Sequence, residues 1–150
     1  MPGTRAVDFS ASYSGVPLLG SSGEALPEIG GERYTKLLTK DLLKKLPALY
    51  SQEEKADPMV VCKFFTPDAG WTWYVIEGSS VDEDGYYDTD KEKVDFLFFG
   101  LVSGADVELG YFSLSELTSV RGKFGLPVER DLYFEPTRLS EVKTLCGYKW

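Results

Sequence analysis

Acidic side chains are concentrated in one stretch of the sequence, and they limit the chemistry that the chain can support. Residues 77–116 contain eleven acidic and two basic residues, while the whole chain has a net charge of −8. An acidic surface attracts cations or a basic protein surface and repels the phosphate backbone of nucleic acids. We therefore expect a partner protein with a basic surface and no direct binding of duplex DNA.

The densest part of this stretch is the acidic segment, residues 77–93, which is predicted to form a loop. Two adjacent tyrosines lie among its acids, and tyrosines in a polar loop are suitable interface anchors. A solvated linker between two strands is the alternative interpretation of the same segment. The candidate partner-binding residues are Asp82, Glu83, Asp84, Tyr86, Tyr87, Asp88 and Asp90.

A second candidate site combines aromatic and charged residues from two parts of the chain. Aromatic rings could form a stacking surface, and a pair of carboxylates beside an arginine could serve acid–base chemistry. The alternatives are core packing for the tryptophans and ion pairs that fix a loop for the charged residues. The candidate cleft residues are Trp71, Trp73, Tyr74, Glu129, Arg130 and Asp131.

Several classes of active site are excluded by residues that the chain lacks. It contains no histidine and no asparagine, which excludes Ser-His-Asp and Cys-His-Asn systems and histidine metal ligands. The segment from Asp82 to Gly85 resembles part of a calcium loop, but Lys91 would occupy the bidentate carboxylate position, so the match fails. We therefore assign no catalytic residue, no metal ligand and no cofactor.

The cysteines and the hydropathy pattern bear on localisation. Cys62 and Cys146 are far apart and form no disulfide framework, which fits a reducing compartment. The first residues lack the pattern of a signal peptide. The longest strongly apolar run, residues 96–102, is too short to span a membrane. We expect a cytoplasmic protein that does not associate with membranes.

The elements that must position the candidate residues follow from hydrophobic patterning and turn residues. Residues 1–35 are rich in Gly, Ser and Pro and are predicted to be a flexible N-terminal extension to a single domain, residues 36–150. The predicted strands are 59–65, 71–76, 94–102, 107–112 and 131–134, and the first four are expected to form a meander. The predicted helices begin after the capping residues Thr39, Ser113 and Ser140, and Ser113 forms a capping box with Glu116. The fold class is α+β, with a mainly antiparallel sheet of about four to five strands and two to three short helices.

Alternation within these strands also predicts the core. Strand 94–102 is apolar on both faces, which is typical of a central strand that is covered on both sides. The predicted core residues are Val61, Phe64, Trp73, Val75, Phe96, Phe98, Leu101, Leu109, Phe112 and Leu117.

From about Leu37 onward the chain resembles a bacterial family of unknown function. The motifs that carry the resemblance are LLTKDLLKKLP (37–47), KFFTPDAGWTWY (63–74), DFLFFGLV (95–102), ELGYFSL (108–114) and GLPVERDLYFEP (125–136). The resemblance implies an accessory role on a mobile genetic element such as a plasmid, a phage or an integrative element, directed against host defence. It implies no reaction and no catalytic residue.

Together these features favour a non-catalytic, acidic protein-interaction module of a mobile genetic element. In one form of this hypothesis the module inhibits a host defence protein, or another host protein that acts on nucleic acid, by occupying its basic cleft. The alternative is a metal-dependent enzyme that acts on nucleic acid or nucleotides through the carboxylates beside Arg130. A single-strand binder that uses the aromatic residues is disfavoured by the net charge of −8.

The predicted boundary near residue 35 can be tested by limited proteolysis. Proteases should cut before residue 36 and leave a stable core, because a Gly-, Ser- and Pro-rich segment offers little buried backbone. Mass spectrometry of the fragments measures the cut sites. Cleavage confined to residues 60–140 would contradict the boundary.

Overall fold

A computed structural model describes residues 36–149, and the predicted N-terminal extension lies outside these residues. The described chain forms a five-stranded antiparallel sheet, a two-stranded sheet and three short helices, which confirms the predicted α+β class. The strands are β1 (Met59–Val60), β2 (Cys62–Phe65), β3 (Thr72–Val81), β4 (Asp95–Ser103), β5 (Val107–Ser113), β6 (Glu129–Arg130) and β7 (Thr137–Arg138). The helices are α1 (Lys40–Lys45), α2 (Leu114–Ser119) and α3 (Leu139–Cys146).

The large sheet consists of a four-strand meander and a fifth strand, β6, which is distant in sequence and pairs at one edge. Its strand order is β5-β4-β3-β2-β6, and all neighbouring strands are antiparallel. The consecutive pairing of β2 to β5 confirms the predicted meander. Strands β1 and β7 form the separate two-stranded sheet, which the sequence pattern did not predict because two-residue strands leave no periodic signal.

The two helices whose caps were predicted most directly begin as expected. The side chain of Thr39 accepts a hydrogen bond from the backbone N–H of Leu42 at the start of α1. Ser113 and Glu116 form the predicted reciprocal capping box at the start of α2. Both helices pack against the first face of the large sheet, where α1 contributes Leu42 to the core.

The core on this first face is dominated by aromatic rings. Phe98 in the interior strand β4 lies between Phe64 and Phe112, with ring centroids 5.6 Å and 5.5 Å away, and Trp73 is also fully buried. The second face has its own cluster, in which Tyr74 and other residues of β3 and β4 pack against β1 and α3. The prediction that β4 is covered on both sides is therefore confirmed.

Strand β3 contains a bulge that determines which side chains reach the second face. Val75 pairs with Gly100 and Glu77 pairs with Phe99, so Ile76 is the extra residue. A bulge places two residues opposite one on the neighbouring strand. As a result Ile76 and Glu77 both lie on the second face, where they line the same cavity.

The predicted end of β3 at Ile76 is wrong, because the strand continues to Val81. Residues 77–81 contain glycine and two serines and therefore resemble a loop, yet they pair with β4 along their whole length. Gly78 lies against the rings of Phe96 and Phe98, where a Cβ atom would leave too little room. The acidic segment consequently supplies five residues to the sheet before its loop begins at Asp82.

Two predictions near the C-terminus are also wrong. The predicted strand 131–134 is a turn in which the Asp131 carboxylate accepts a hydrogen bond from the Tyr133 N–H at 2.9 Å, and the strand is instead β6. Ser140 does not cap the last helix, since α3 begins at Leu139. The carboxylate of Asp57 takes that role, because it accepts hydrogen bonds from the N–H of Ser140 at 2.8 Å and from its hydroxyl at 2.7 Å.

The predicted core is confirmed for all its members except Val61 and Leu109, which are half-buried. Val61 lies at the break between β1 and β2. Leu109 lies on the second face of β5, where it lines a cavity instead of contacting a closely packed neighbour on every side. Cys62 is buried as a small apolar residue, and burial raises the pKa of its thiol to about 12.

The aromatic core predicts a large loss of stability for Phe98→Ala. Phe98 is 0% exposed, and removing a buried phenylalanine ring costs about 3–5 kcal/mol. Chemical denaturation monitored by tryptophan fluorescence measures the change in the free energy of unfolding. The matched control is Phe124→Ala, because Phe124 is 76% exposed and the same truncation should change stability very little. A loss below about 1 kcal/mol for Phe98→Ala would show that the ring is peripheral.

Candidate functional site

The β3–β4 loop, residues 82–94, is built around the carboxylate of Asp82. This side chain is fully buried and accepts hydrogen bonds from the N–H groups of Asp84 at 2.9 Å and Tyr86 at 3.0 Å. It also accepts a hydrogen bond from the hydroxyl of Thr89 at 2.5 Å. Asp82 was a candidate partner-binding residue, and the structure places it inside the loop as the residue that shapes it.

The environment of Asp82 keeps its side chain ionised. Burial raises its pKa, but the hydrogen bonds from Thr89, Tyr86 and Asp84 outweigh that effect, so the pKa lies below its ordinary value. A carboxylate with several hydrogen-bond donors can remain charged in a buried position. The loop therefore retains its internal hydrogen bonds at neutral pH.

The other acids of the loop point outward. Glu83, Asp84, Asp88, Asp90 and Glu92 are exposed, and the Asp84 carboxylate forms an ion pair with the ammonium group of Lys91 at 2.6 Å. The ammonium group of Lys93 donates to the carbonyl of Thr89 at 2.8 Å. The loop is thus a folded unit with an acidic outer surface.

Tyr87 connects this loop to a row of aromatic rings. The centroid of its ring lies 5.6 Å from that of Tyr50, which in turn lies 6.1 Å from that of Tyr111. The row ends at Phe99, whose centroid is 4.8 Å from that of Tyr111. Tyr86, the other predicted anchor, is half-buried and binds Asp82 through its backbone.

Glu77, which the bulge in β3 turns to the second face, fixes the position of Tyr50. Its carboxylate is buried and accepts hydrogen bonds from the N–H of Tyr50 at 2.6 Å and from the N–H of Gln52 at 3.0 Å. Tyr50 has a φ of 68°, a left-handed conformation that is uncommon for a residue with a side chain. Such strain persists only where the surroundings enforce it, and here Glu77 does so.

A cavity of about 340 Å³ lies on the second face between the 50–58 connection and α3. We call it the second-face cavity, and its apolar floor is formed by Ile76, Phe99 and Leu109. Glu77, Tyr50 and Tyr111 line one end, and Lys55 and Lys143 also contribute to its lining. Its volume is typical of the lower range of ligand sites, roughly 300–1,000 Å³.

Sequence reasoning missed Glu77, Tyr50 and Tyr111 as potential site residues. One signal was present, because the apolar pair Val75-Ile76 followed by Glu77 breaks the alternation of a regular strand and is compatible with a bulge. The left-handed turn at Tyr50 has no such signal, since it depends on a carboxylate that is distant in sequence.

The candidate cleft residues are not brought together in one place. Trp73 is fully buried in the first-face core, Tyr74 is buried on the opposite face, and Trp71 is half-buried against Trp73. A shallow depression of about 420 Å³ is lined by Lys63, Phe65, Glu129, Arg130, Asp131, Leu132 and Tyr133.

Two charged residues of the candidate cleft, Asp131 and Arg130, make contacts that stabilise the fold. The carboxylate of Asp131 lies 3.7 Å from the ammonium group of Lys63, and the guanidinium of Arg130 donates to the hydroxyl of Thr39 at 3.0 Å. Glu129 is exposed. Among residues 36–149, no group of three or more Cys, Asp or Glu side chains is arranged to hold a metal ion.

Comparison with models of protein families shows to which family the chain belongs. The family model described as "Protein of unknown function (DUF2958)" matches residues 37–145. The chain belongs to the DUF2958 family. The matched part begins before α1 and ends within α3, so it includes the β3–β4 loop and every residue named above around the second-face cavity.

Comparisons with curated proteins and with solved structures gave no match. Within the part of the chain that the structure describes, no helix is long and apolar enough to cross a membrane.

Asp95, directly after the β3–β4 loop, is a third buried carboxylate and was not singled out by the sequence. It accepts hydrogen bonds from the N–H of Ser115 at 3.2 Å, from the Ser115 hydroxyl at 2.5 Å and from the N–H of Phe96 at 2.7 Å. Burial nevertheless raises the pKa of Asp95 to about 6. Its position ties the start of β4 to the first turn of α2.

The raised pKa of Asp95 predicts how stability depends on pH. The folded protein holds the proton of this carboxyl more tightly than the unfolded chain, whose pKa is near 3.8. Its contribution is therefore largest below about pH 4 and falls as the pH rises to about 6. The wild type should therefore lose stability between about pH 4 and pH 6. Because Asn cannot ionise, the free energy of unfolding of Asp95→Asn should rise by about 2–3 kcal/mol relative to that of the wild type over the same pH range.

Urea denaturation of both proteins at a series of pH values measures this difference. Asp106→Asn is the control, because Asp106 is exposed and its replacement should leave the pH profile of stability nearly unchanged. Parallel profiles for the wild type and Asp95→Asn would contradict the assignment.

Proposed function

We propose that this chain is a non-catalytic protein-interaction module whose β3–β4 loop binds a basic surface on a partner protein. The observation that carries the proposal is the internal order of the loop, in which the buried carboxylate of Asp82 binds two backbone N–H groups and one hydroxyl. The loop's exposed acids are thereby presented from a fixed backbone.

Preorganisation distinguishes a binding loop from a solvated linker. Ordering a mobile loop on association opposes binding, so a loop that is already ordered retains more of the gain from its contacts. A plain linker between two antiparallel strands needs only a few residues and requires no buried carboxylate at its centre. Both features favour a binding role for the loop.

Charge indicates the chemistry of the partner. Five exposed carboxylates within the loop, those of Glu83, Asp84, Asp88, Asp90 and Glu92, create a negative potential that accelerates encounter with a basic surface and disfavours nucleic acid. Proteins that act on nucleic acids present such basic surfaces. The partner we propose is therefore a host nucleic-acid-acting or defence protein, which the module inhibits on behalf of a mobile genetic element by covering its basic cleft.

A charge-neutralised loop variant tests the proposal. Glu83→Gln, Asp84→Asn, Asp88→Asn and Asp90→Asn are combined, and Asp82 is left intact because it shapes the loop. Affinity capture from host lysate at two salt concentrations, followed by mass spectrometry, should retain a basic protein with the wild type and lose it with the variant. With the purified partner, the association rate should fall about tenfold and its salt dependence should flatten.

The matched control removes the same number of exposed acids elsewhere. Asp41→Asn, Glu54→Gln, Glu135→Gln and Glu141→Gln change the net charge equally but leave the loop intact. The control should capture the same partner as the wild type. Equal capture by the wild type and the loop variant would support the linker interpretation and contradict the proposal.

A further inference from the structure

The lining of the second-face cavity is apolar in one part and polar in another. Its floor of Ile76, Phe99 and Leu109 is apolar, while Glu77 with the phenol rings of Tyr50 and Tyr111 lines one end. The row of rings from Tyr87 to Phe99 runs from the acidic loop to this end. The cavity and the loop are therefore neighbouring parts of one surface.

Two carboxylates, those of Glu77 and Glu53, are part of the lining of the second-face cavity. Burial raises the pKa of Glu77, and the nearby carboxylate of Glu53 adds to that effect, while the N–H groups of Tyr50 and Gln52 oppose it. Burial, the hydrogen bond with Tyr50 and the charges of Glu77 and Glu53 also raise the pKa of Tyr111. Burial is the largest cause of both shifts, and the charge of Glu53 adds to each of them.

Aromatic rings beside carboxylates form a favourable site for an organic cation. The face of an aromatic ring attracts ammonium and guanidinium groups, and the attraction increases where water is excluded. An apolar floor next to such a site suits the aliphatic stem of a long basic side chain. The cavity provides the two features side by side.

The lysines of the cavity lining restrict how a basic side chain can enter. Lys55 and Lys143 would repel a cation placed beside them, and Lys143 lies with its ammonium group 4.7 Å from the centroid of the Tyr148 ring. A single cation is therefore favoured only at the Glu77 end. The volume of about 340 Å³ accommodates a side chain but not a folded segment.

We propose that the second-face cavity binds one arginine or lysine side chain of the basic partner, with its cationic group beside Glu77, Tyr50 and Tyr111 and its stem on Ile76, Phe99 and Leu109. This inference rests on the proposed function, because it supplies the buried anchor beside the loop that steers the partner. It also assigns a role to the left-handed turn at Tyr50, which holds the tyrosine ring at the Glu77 end of the cavity.

The first test uses nuclear magnetic resonance on the wild-type protein and compares small probes that share the same capped amino-acid backbone. N-acetyl-arginine methylamide and N-acetyl-lysine methylamide should cause saturable shifts in the ring signals of Tyr50 and Tyr111 and in the methyl signals of Ile76 and Leu109. The uncharged analogue N-acetyl-norleucine methylamide should cause none. Equal shifts with the norleucine probe, or no saturable shift with either basic probe, would overturn the inference.

A cavity-filling substitution adds a second measurement. Leu109→Trp should occupy the cavity and abolish the shifts at Tyr50, Tyr111 and Ile76, while Leu145→Trp, the same substitution at a residue that is 77% exposed on α3, should preserve them. Preserved shifts in a folded Leu109→Trp protein would place the probe outside the cavity and overturn the inference.

The experiment separates this inference from the proposed function. The loop variant, in which four exposed acids are neutralised, should keep the probe shifts although it loses the partner. If the wild type captures a partner through its loop but fails to bind the arginine probe, the cavity inference fails and the proposed function stands. If the probe binds in the cavity and the loop variant still captures the same partner, the proposed function fails.

Discussion

A buried carboxylate must find hydrogen-bond donors, and the way in which Glu77 finds them shapes one wall of the second-face cavity. Its two oxygens bind the backbone N–H groups of Tyr50 and Gln52, so the chain after α1 is fastened to β3. Two further hydrogen bonds, from Gly78 to Pro47 and from Leu49 to the Ser79 hydroxyl, fasten the same segment. The cavity wall and the aromatic row follow from this attachment, because both depend on where Tyr50 is held.

The same reasoning explains why the charge of the acidic stretch cannot be interpreted from composition alone. Glu77, Asp82 and Asp95 are all buried, and each binds backbone N–H groups near the end of a strand or at the start of a loop or helix. Leaving such a group unpaired would cost about 1–3 kcal/mol. Part of the acidity therefore serves the fold, and only the acids that remain exposed can act on a partner.

Much of the fold follows from local sequence patterns, whereas the candidate site depends on contacts between residues that are distant in sequence. The meander, the cap at Thr39 and the capping box at Ser113 were predictable because each depends on residues that are close in sequence. The continuation of β3 past Ile76 was not, because the pairing of Gly78 with Phe98 is decided by the partner strand. The strand expected at 131–134 did not form, and its adjacent apolar residues remain exposed, with Leu132 at 75% and Tyr133 at 93%.

The closure of the β3–β4 loop by Asp82 also has a consequence for how this protein can diverge. Because the hydrogen bonds that shape the loop begin and end within residues 82–93, its tip can change in length or composition without moving the strands on either side. Under the proposed function, relatives could exchange the tip for one that binds a different target, while they keep the sheet and the turn held by Glu77. In such a chain, specificity would evolve in a dozen residues and stability in the others.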